Sequence, residues 1–164
     1  MSDTPRERFQ DLITGFSNAM LVTSKADGSL RARPMQIAEV ESDADLWFVT
    51  ELDSAKTDEI NDHPEVAVTF QDGKKYLSLT GEARIVADQE KINELWQESW
   101  KVWFPEGKES SNITLLHVQA KVGEYWDNSG MKGLTYLFEA GKAYLEGKQP
   151  DLGEEIHETV DLYR

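Results

Sequence analysis

The sequence predicts a mainly β fold, in which antiparallel strands form a small closed or nearly closed barrel with helices at its periphery. Several short segments alternate apolar and polar residues, and Asp-Gly hairpin turns stand at 27–28 and 72–73. Helical segments are inserted between runs of strands and do not follow each strand in turn. Because hairpin-linked strands pair antiparallel, this order argues against a parallel sheet of strand–helix–strand units. The length of 164 residues predicts one domain over 1–164, with its core at about 5–145.

The first half of the chain predicts two helices and four strands. Apolar residues at helical spacing predict a helix over about residues 4–19: Phe9, Leu12, Ile13 and Phe16. Strands are expected at 20–23, 30–40, 46–50 and 66–70. A short helix is expected to begin after Ser54 as its N-cap and to end near Asn61, before His63-Pro64.

The second half predicts two long strands and two more helices. The strands are expected at 76–86, with a bend at Gly81, and at 113–126. Between them Asp88 should cap a helix with one apolar stripe, made by Ile92, Leu95, Trp96, Trp100 and Trp103. We interpret this stripe as part of the hydrophobic core or of a protein interface. A helix marked by Leu134, Leu137, Phe138 and Leu145 follows, and the acidic tail after Gly147 carries no clear pattern.

The charge of the chain excludes some classes of partner. With 31 acidic and 17 basic residues, the formal net charge is -14, which opposes binding to nucleic acid or to anionic membranes. The apolar runs are far shorter than the roughly 20 residues of a spanning helix, and the first residues lack the apolar segment of a signal peptide. We therefore expect a cytoplasmic protein. Without cysteine, the chain can use neither disulfides nor thiol catalysis.

Motif searches give no catalytic constellation. The chain has no phosphate-binding Gly-Lys-Ser/Thr loop, no Gly-x-Gly-x-x-Gly and no Gly-x-Ser-x-Gly. Its three histidines, His63, His117 and His157, lie far apart and show no metal-ligand spacing, so no metal site is predicted. Catalytic residues are not identified from the sequence.

One basic segment is Arg31-Ala32-Arg33-Pro34-Met35, within a predicted strand. Strand alternation puts Arg31 and Arg33 on the same face, and Pro34 removes one backbone donor and favours an extended Arg33. Such a strand can turn its backbone toward a bound ring. The alternative is a pair of solvated arginines on an edge strand.

The second basic position is Lys56, after the strand that ends at Thr50. Helix N-termini attract anions, and a lysine in the first turn opposes the helix dipole unless an anion sits there. Ser54 and Lys56 therefore predict a phosphate site. The alternative is a lysine that faces water beside Asp53 and Asp58.

Taken in order, these segments resemble the FMN-binding split-barrel family, which includes pyridoxamine phosphate oxidase, and within it the bacterial general-stress-protein branch. The resemblance covers about residues 5–145. It rests on the order and spacing of Arg33-Pro34-Met35, Leu46-Trp47-Phe48-Val49-Thr50, Ser54-x-Lys56, Asn61-x-x-Pro64, Val66-Ala67-Val68-Thr69-Phe70, the strand from Tyr76 to Ala83, and Val122-Gly123-Glu124-Tyr125-Trp126-Asp127.

The resemblance implies a homodimer that holds FMN in a groove at its interface. Arg33 and Lys56 would bind the phosphate, and Ser54 and Ala55 would line the phosphate loop. Pro34, Met35, Val49 and Thr50 would border the isoalloxazine ring, and Trp126 could pack near the flavin from either subunit. FAD is also compatible with such a site, because its adenylate could extend into solvent.

The expected function is therefore that of a stress-related flavoprotein, and we favour a flavin-dependent oxidoreductase. A non-enzymatic flavin-binding or flavin-sensing protein is the first alternative. The second is a split barrel that binds heme or no ligand. The segment from Leu152 to Arg164 lacks the arginine- and histidine-bearing pattern with which pyridoxamine phosphate oxidases hold their substrate phosphate, which argues against oxidation of vitamin B6 phosphates.

Overall fold

A computed structural model describes residues 4–151 and 156–164. The helices are α1 (Pro5–Ile13), α2 (Ala55–Asp62), α3 (Gln89–Leu95) and α4 (Gly130–Glu146), with a 3₁₀ helix at Glu98–Val102. The strands are β1 (Asn18–Ser24), β2 (Leu30–Val40), β3 (Leu46–Glu51), β4 (Glu65–Asp72), β5 (Lys75–Val86), β6 (Ile113–Asp127) and β7 (His157–Asp161). None of the helices in the described ranges is long and apolar enough to cross a membrane.

The first six strands close into an antiparallel barrel. Their order is β3-β2-β1-β4-β5-β6, and β3 pairs again with the first half of β6 to complete the circle. Alternate residues of each strand fill the interior, among them Leu21, Val68 and Leu79, all with 0% exposure. The prediction of a mainly β barrel with flanking helices is confirmed.

The bend expected at Gly81 is present as a register shift between Thr80 and Gly81, where β5 pairs with β6. A Cβ atom at Gly81 would overlap the carbonyl oxygen of Gln119 on β6. Glycine is therefore required here because the two backbones approach too closely for any side chain.

Helix α1 is shorter than expected. It begins at a capping box between Thr4 and Glu7, buries Phe9 and Ile13, and ends before the chain enters β1 at Asn18. Phe16, expected in the helix, instead packs its ring against Phe70 after the helix has ended.

The helix expected after Asp88 is also shorter, and its single apolar stripe was a wrong prediction. Helix α3 ends at Leu95, since the backbone angles of Trp96 (φ -53°, ψ 133°) and Gln97 (φ -125°, ψ 136°) are not helical, and a 3₁₀ helix follows. Trp100 is buried against the outer face of the barrel beside Leu115, while Trp103 is 57% exposed. Burial of Trp100 thus outweighs the periodicity that favoured one continuous helix.

The region after Gly147, to which the sequence assigned no structure, contributes strand β7. This strand pairs with the second half of β6, where Val160 is buried opposite Gly123. Arg164 then forms ion pairs with Asp43 and Asp45. The strand has five residues and buries one of them, Val160, so its alternation of apolar and polar residues is too short to be recognised in the sequence. Residues 152–155 of this region lie outside the described ranges.

Candidate functional site

A groove with a volume of about 400 Å³ opens on the barrel surface where β3 ends. It is lined by Asn18, Pro34, Met35, Gln36, Val49, Thr50, Glu51, Lys56, Trp100, Trp103 and Phe104. Strands β1, β2 and β3 provide one side, the first turn of α2 provides Lys56, and the 3₁₀ helix with the two residues after it provides an aromatic wall.

The groove lies where β2 and β3 separate. Their pairing runs from Val40/Leu46 to Ile37/Phe48 and includes a register shift between Ile37 and Glu39. Beyond this stretch β2 pairs with β1 and β3 pairs with β6, so Pro34-Met35 and Val49-Thr50 face a gap between the two strands. Pro34 has no amide hydrogen to donate across this gap, which suits a strand that leaves its neighbour.

Thr50 carries an unpartnered polar atom at the groove. Its side chain is 4% exposed, and Oγ1 is buried with no hydrogen-bond partner among the described residues. A buried hydroxyl without a partner costs about 1–3 kcal/mol. A ligand with a polar edge in this groove would recover that cost.

Lys56 is the cation of the groove. It is half-buried, and it makes no ion pair within 4.0 Å in the described parts of the chain. Burial lowers the pKa of Lys56, and the nearby charge of Arg33 lowers it further, while Glu51 and Glu59 act in the opposite direction. A lysine in the first turn of α2 also opposes the helix dipole. An anion bound here would stabilise the charged form of Lys56 against burial, against the charge of Arg33 and against the helix dipole.

Arg33, expected to bind phosphate, lies beside the groove and is already engaged. Its Nη2 donates to Glu59 Oε2 at 2.8 Å, and its Nη1 donates to Thr23 Oγ1 at 2.6 Å. Arg31 reaches the other oxygen of Glu59 at 3.3 Å, so the two arginines share one face as expected. Arg33 is not among the groove-lining residues, but its charge acts on Lys56.

Glu59 was missed by sequence reasoning. Its position three residues after Lys56 on α2 was the available signal, because residues at that spacing share a helix face. Burial raises the pKa of Glu59, but hydrogen bonds from Thr23 and Arg33 and the charges of both arginines together hold that pKa below its ordinary value.

Neither Ser54 nor Ala55 lines the groove. Ser54 Oγ donates to the carbonyl oxygen of Glu51 at 2.9 Å and makes no side-chain cap on α2. Thr57 Oγ1 donates to the same carbonyl at 3.0 Å, which ties α2 to the end of β3 and so positions Lys56. The side chain of Ala55 is exposed.

The aromatic residues are distributed differently from expectation. Trp126 is outside the groove lining of its own chain and stacks on His157, with centroids 5.0 Å apart and rings 11° from parallel. Trp100 and Trp103, interpreted from sequence as core or interface, form the groove wall together with Phe104. No local signal could reveal this wall, because it depends on the end of helix α3 before Trp96.

A second group of potential ligand atoms lies at the start of β3, at the other end of that strand. Glu41, Asp45 and His117 bring their side-chain ligand atoms within 4.8 Å of one another. Arg164 already donates to Asp45 Oδ2 at 2.5 Å, and the backbone amide of Ala120 donates to Asp45 Oδ1. The guanidinium supplies positive charge to these carboxylates, and His117 Nε2 lies 3.3 Å from Glu41 and 3.2 Å from Asp45. His117 Nδ1 is buried and has no hydrogen-bond partner among the described residues.

Comparisons with known proteins identify the family of this chain. The family model of pyridoxamine 5'-phosphate oxidase-like proteins matches residues 4–151. Protein bli-3 of Neurospora crassa is 26% identical over 117 residues, a match that spans 65% of this chain and 56% of that protein.

Solved structures give the same result. The general stress FMN/FAD binding protein of Xanthomonas citri is 26% identical, with a TM-score of 0.65 over 76% of this chain and 89% of that one. A Clostridium acetobutylicum protein related to general stress protein 26 of Bacillus subtilis has a TM-score of 0.71 at 15% identity, covering 98% and 100% of the two chains, and so shows the shared fold.

The predicted split barrel and the predicted family are therefore confirmed: this chain belongs to the pyridoxamine 5'-phosphate oxidase-like family.

Proposed function

We propose that this protein binds FMN in the groove between β2 and β3. The observation that carries the proposal is the pairing, in one groove, of a half-buried lysine without an ion pair and a buried hydroxyl without a hydrogen bond, Lys56 and Thr50. FMN combines an anionic phosphate with a planar ring whose edge is polar, and so offers a partner to both. The relative from Xanthomonas citri that binds FMN/FAD supports the same ligand class.

The residues of the site divide between the two parts of the ligand. Lys56, with Arg33 beside it, would hold the phosphate, since two cations near a helix N-terminus favour a dianion. Pro34, Met35, Val49 and Thr50 would border the isoalloxazine ring. FAD shares both groups with FMN, and the open groove allows for its adenylate.

We further propose that the protein acts as a homodimer whose second subunit completes the groove. Helix α4 exposes a row of large apolar side chains, each at least 60% accessible: Met131, Leu134, Leu137, Phe138, Tyr144 and Leu145. Contiguous apolar surface of this kind is typical of protein interfaces. Trp103 in the groove wall is also exposed, and the partner's Trp126 remains a candidate to pack near the flavin.

A flavin held here would supply electron-transfer chemistry, which needs few acid–base residues from the protein. We therefore propose a flavin-dependent oxidoreductase that does not act on vitamin B6 phosphates. Lys132 lies in the first turn of α4 and pairs with Asp127 at 2.7 Å. That pairing leaves it poorly suited to bind a second phosphate.

The test is to denature the purified protein, chromatograph the released chromophore, and reconstitute the apoprotein with FMN. We expect about one flavin per chain, and a bound flavin that NADH, NADPH or dithionite reduces. Absence of flavin by both routes would refute the proposal, and heme in its place would favour a different function. Turnover of pyridoxamine or pyridoxine phosphate would contradict the exclusion of vitamin B6 substrates. Reduction by dithionite but by neither nicotinamide would favour a flavin-binding or flavin-sensing role.

A further inference from the structure

We infer that Glu59 is the positioning residue of the phosphate site, and that it acts by holding the guanidinium of Arg33 in place. The inference rests on the proposed function, because it assigns Arg33 to the flavin phosphate. Glu59 does not line the groove and would not itself contact the ligand. Its effect would pass entirely through Arg33.

Arg33, Thr23 and Glu59 are joined pairwise by hydrogen bonds at the guanidinium end of Arg33. Arg33 Nη1 donates to Thr23 Oγ1 at 2.6 Å, and Thr23 Oγ1 donates to Glu59 Oε2 at 2.5 Å. Arg33 Nη2 donates to the same carboxylate oxygen at 2.8 Å. Both terminal nitrogens are thus fixed by one hydrogen each, which leaves their second hydrogens and Nε–H to bind a ligand.

The side chains of Arg33, Thr23 and Glu59 are shielded from water, which makes these contacts effective. The side chain of Glu59 is 10% exposed and that of Arg33 is 17% exposed, while Thr23 is fully buried. Ion pairs shielded from water are screened less than surface pairs, and here two hydrogen bonds hold a planar group in one orientation. Arg31, whose side chain is 45% exposed, is bound more loosely at 3.3 Å.

Local charge gives Glu59 a second reason to be present. Arg31, Arg33 and Lys56 bring three positive charges into a small region, and the Arg33 charge already acts unfavourably on Lys56. Glu59 balances part of this charge before any ligand arrives, so Arg33 need not turn away from Lys56. An arginine ordered in advance does not lose side-chain freedom when it binds phosphate, a benefit of about two- to tenfold in affinity.

The experiment compares FMN with riboflavin, which has the ring but no phosphate. Dissociation constants of both ligands are measured for the wild-type apoprotein, E59A, R33A and the double variant E59A/R33A. We expect E59A to reduce the preference for FMN over riboflavin by about two- to tenfold when Arg33 is present. In the R33A background the same substitution should leave the preference unchanged, since the residue through which Glu59 acts is gone.

Further variants separate positioning from charge and folding. E59Q keeps an acceptor oxygen and should retain most of the preference, while T23V removes the other half of the clamp and should reduce it. Asp62→Ala, which removes one exposed carboxylate from the same helix, is the matched control and should have no effect. Riboflavin affinity reports whether each variant is folded.

An unchanged or increased preference for FMN in E59A would overturn the inference, as would an equal loss in the R33A background. If the proposed FMN binding itself is wrong, the result is distinguishable, because the wild-type protein would then bind no flavin or would bind FMN and riboflavin equally.

Discussion

Substitution of Lys56 by methionine tests the phosphate site with little change to the rest of the molecule. Methionine keeps most of the aliphatic chain and removes the charge. Because Lys56 is half-buried without an ion pair within 4.0 Å among the described residues, its charge gives the apoprotein little stability. The free energy of unfolding of the apoprotein should therefore change by no more than about 0.5 kcal/mol, or rise.

The effect on FMN binding should be much larger. A charge-assisted hydrogen bond to phosphate contributes about 1.5–3 kcal/mol, which corresponds to a loss of roughly tenfold to over a hundredfold in affinity. Riboflavin lacks the phosphate, so its affinity should be nearly unchanged. The contrast between the two ligands is the diagnostic result.

Isothermal titration of wild-type and Lys56→Met apoprotein with both flavins measures this contrast. Lys74→Met is the matched control, because Lys74 is an exposed lysine in the turn between β4 and β5 that does not line the groove. Equal losses for FMN and riboflavin would show that Lys56 acts on the ring or on folding. An unchanged FMN affinity would refute the assignment of the phosphate to this groove.

Three other predictions follow from the same geometry. Thr50→Val should lower the affinities for FMN and riboflavin equally in titrations, and unequal losses of affinity would contradict a contact with the ring. The same substitution removes a buried hydroxyl without a partner, so it should raise the apoprotein's free energy of unfolding in urea by up to about 1–3 kcal/mol. Glu59 has a folded-state pKa below its ordinary value, so its stabilisation is full above about pH 4.3 and is lost as the pH falls through the folded value. The difference in unfolding free energy between wild type and Glu59→Gln should accordingly hold above about pH 4.3 and shrink as the pH falls below it, and a difference that stays constant in acid would count against the ion pair. Light scattering should give twice the chain mass of 18.6 kDa, and a monomer that binds flavin tightly would contradict the shared groove.

The barrel could be predicted because its signals are local. Asp-Gly turns, alternation in β4 and the N-cap at Asp88 each depend on a few adjacent residues, and all three appear where expected. The bend at Gly81 was equally visible, since glycine within a strand marks a bulge or a close backbone approach.

The site was only partly predictable because it depends on contacts between distant segments. Pro34, Met35, Val49, Thr50 and Lys56 line one groove as a set. Ser54 and Ala55 do not line it, although both belong to the same sequence motif as Lys56.

The elements that sequence reasoning missed depend on tertiary packing. The aromatic wall exists because burial of Trp100 interrupts a helix, and β7 exists because β6 extends past its pairing with β3. The role of Glu59 becomes visible only when β1, β2 and α2 are brought together, since its partners Thr23 and Arg33 lie on two different strands.

A crystal structure of the protein with FMN bound would locate the flavin directly. We expect the phosphate within hydrogen-bond distance of Lys56 Nζ and of Arg33, and the ring between Pro34-Met35 and Val49-Thr50 with its polar edge at Thr50 Oγ1. A flavin bound elsewhere on the protein, or a phosphate turned away from Lys56 and toward solvent, would contradict this expectation.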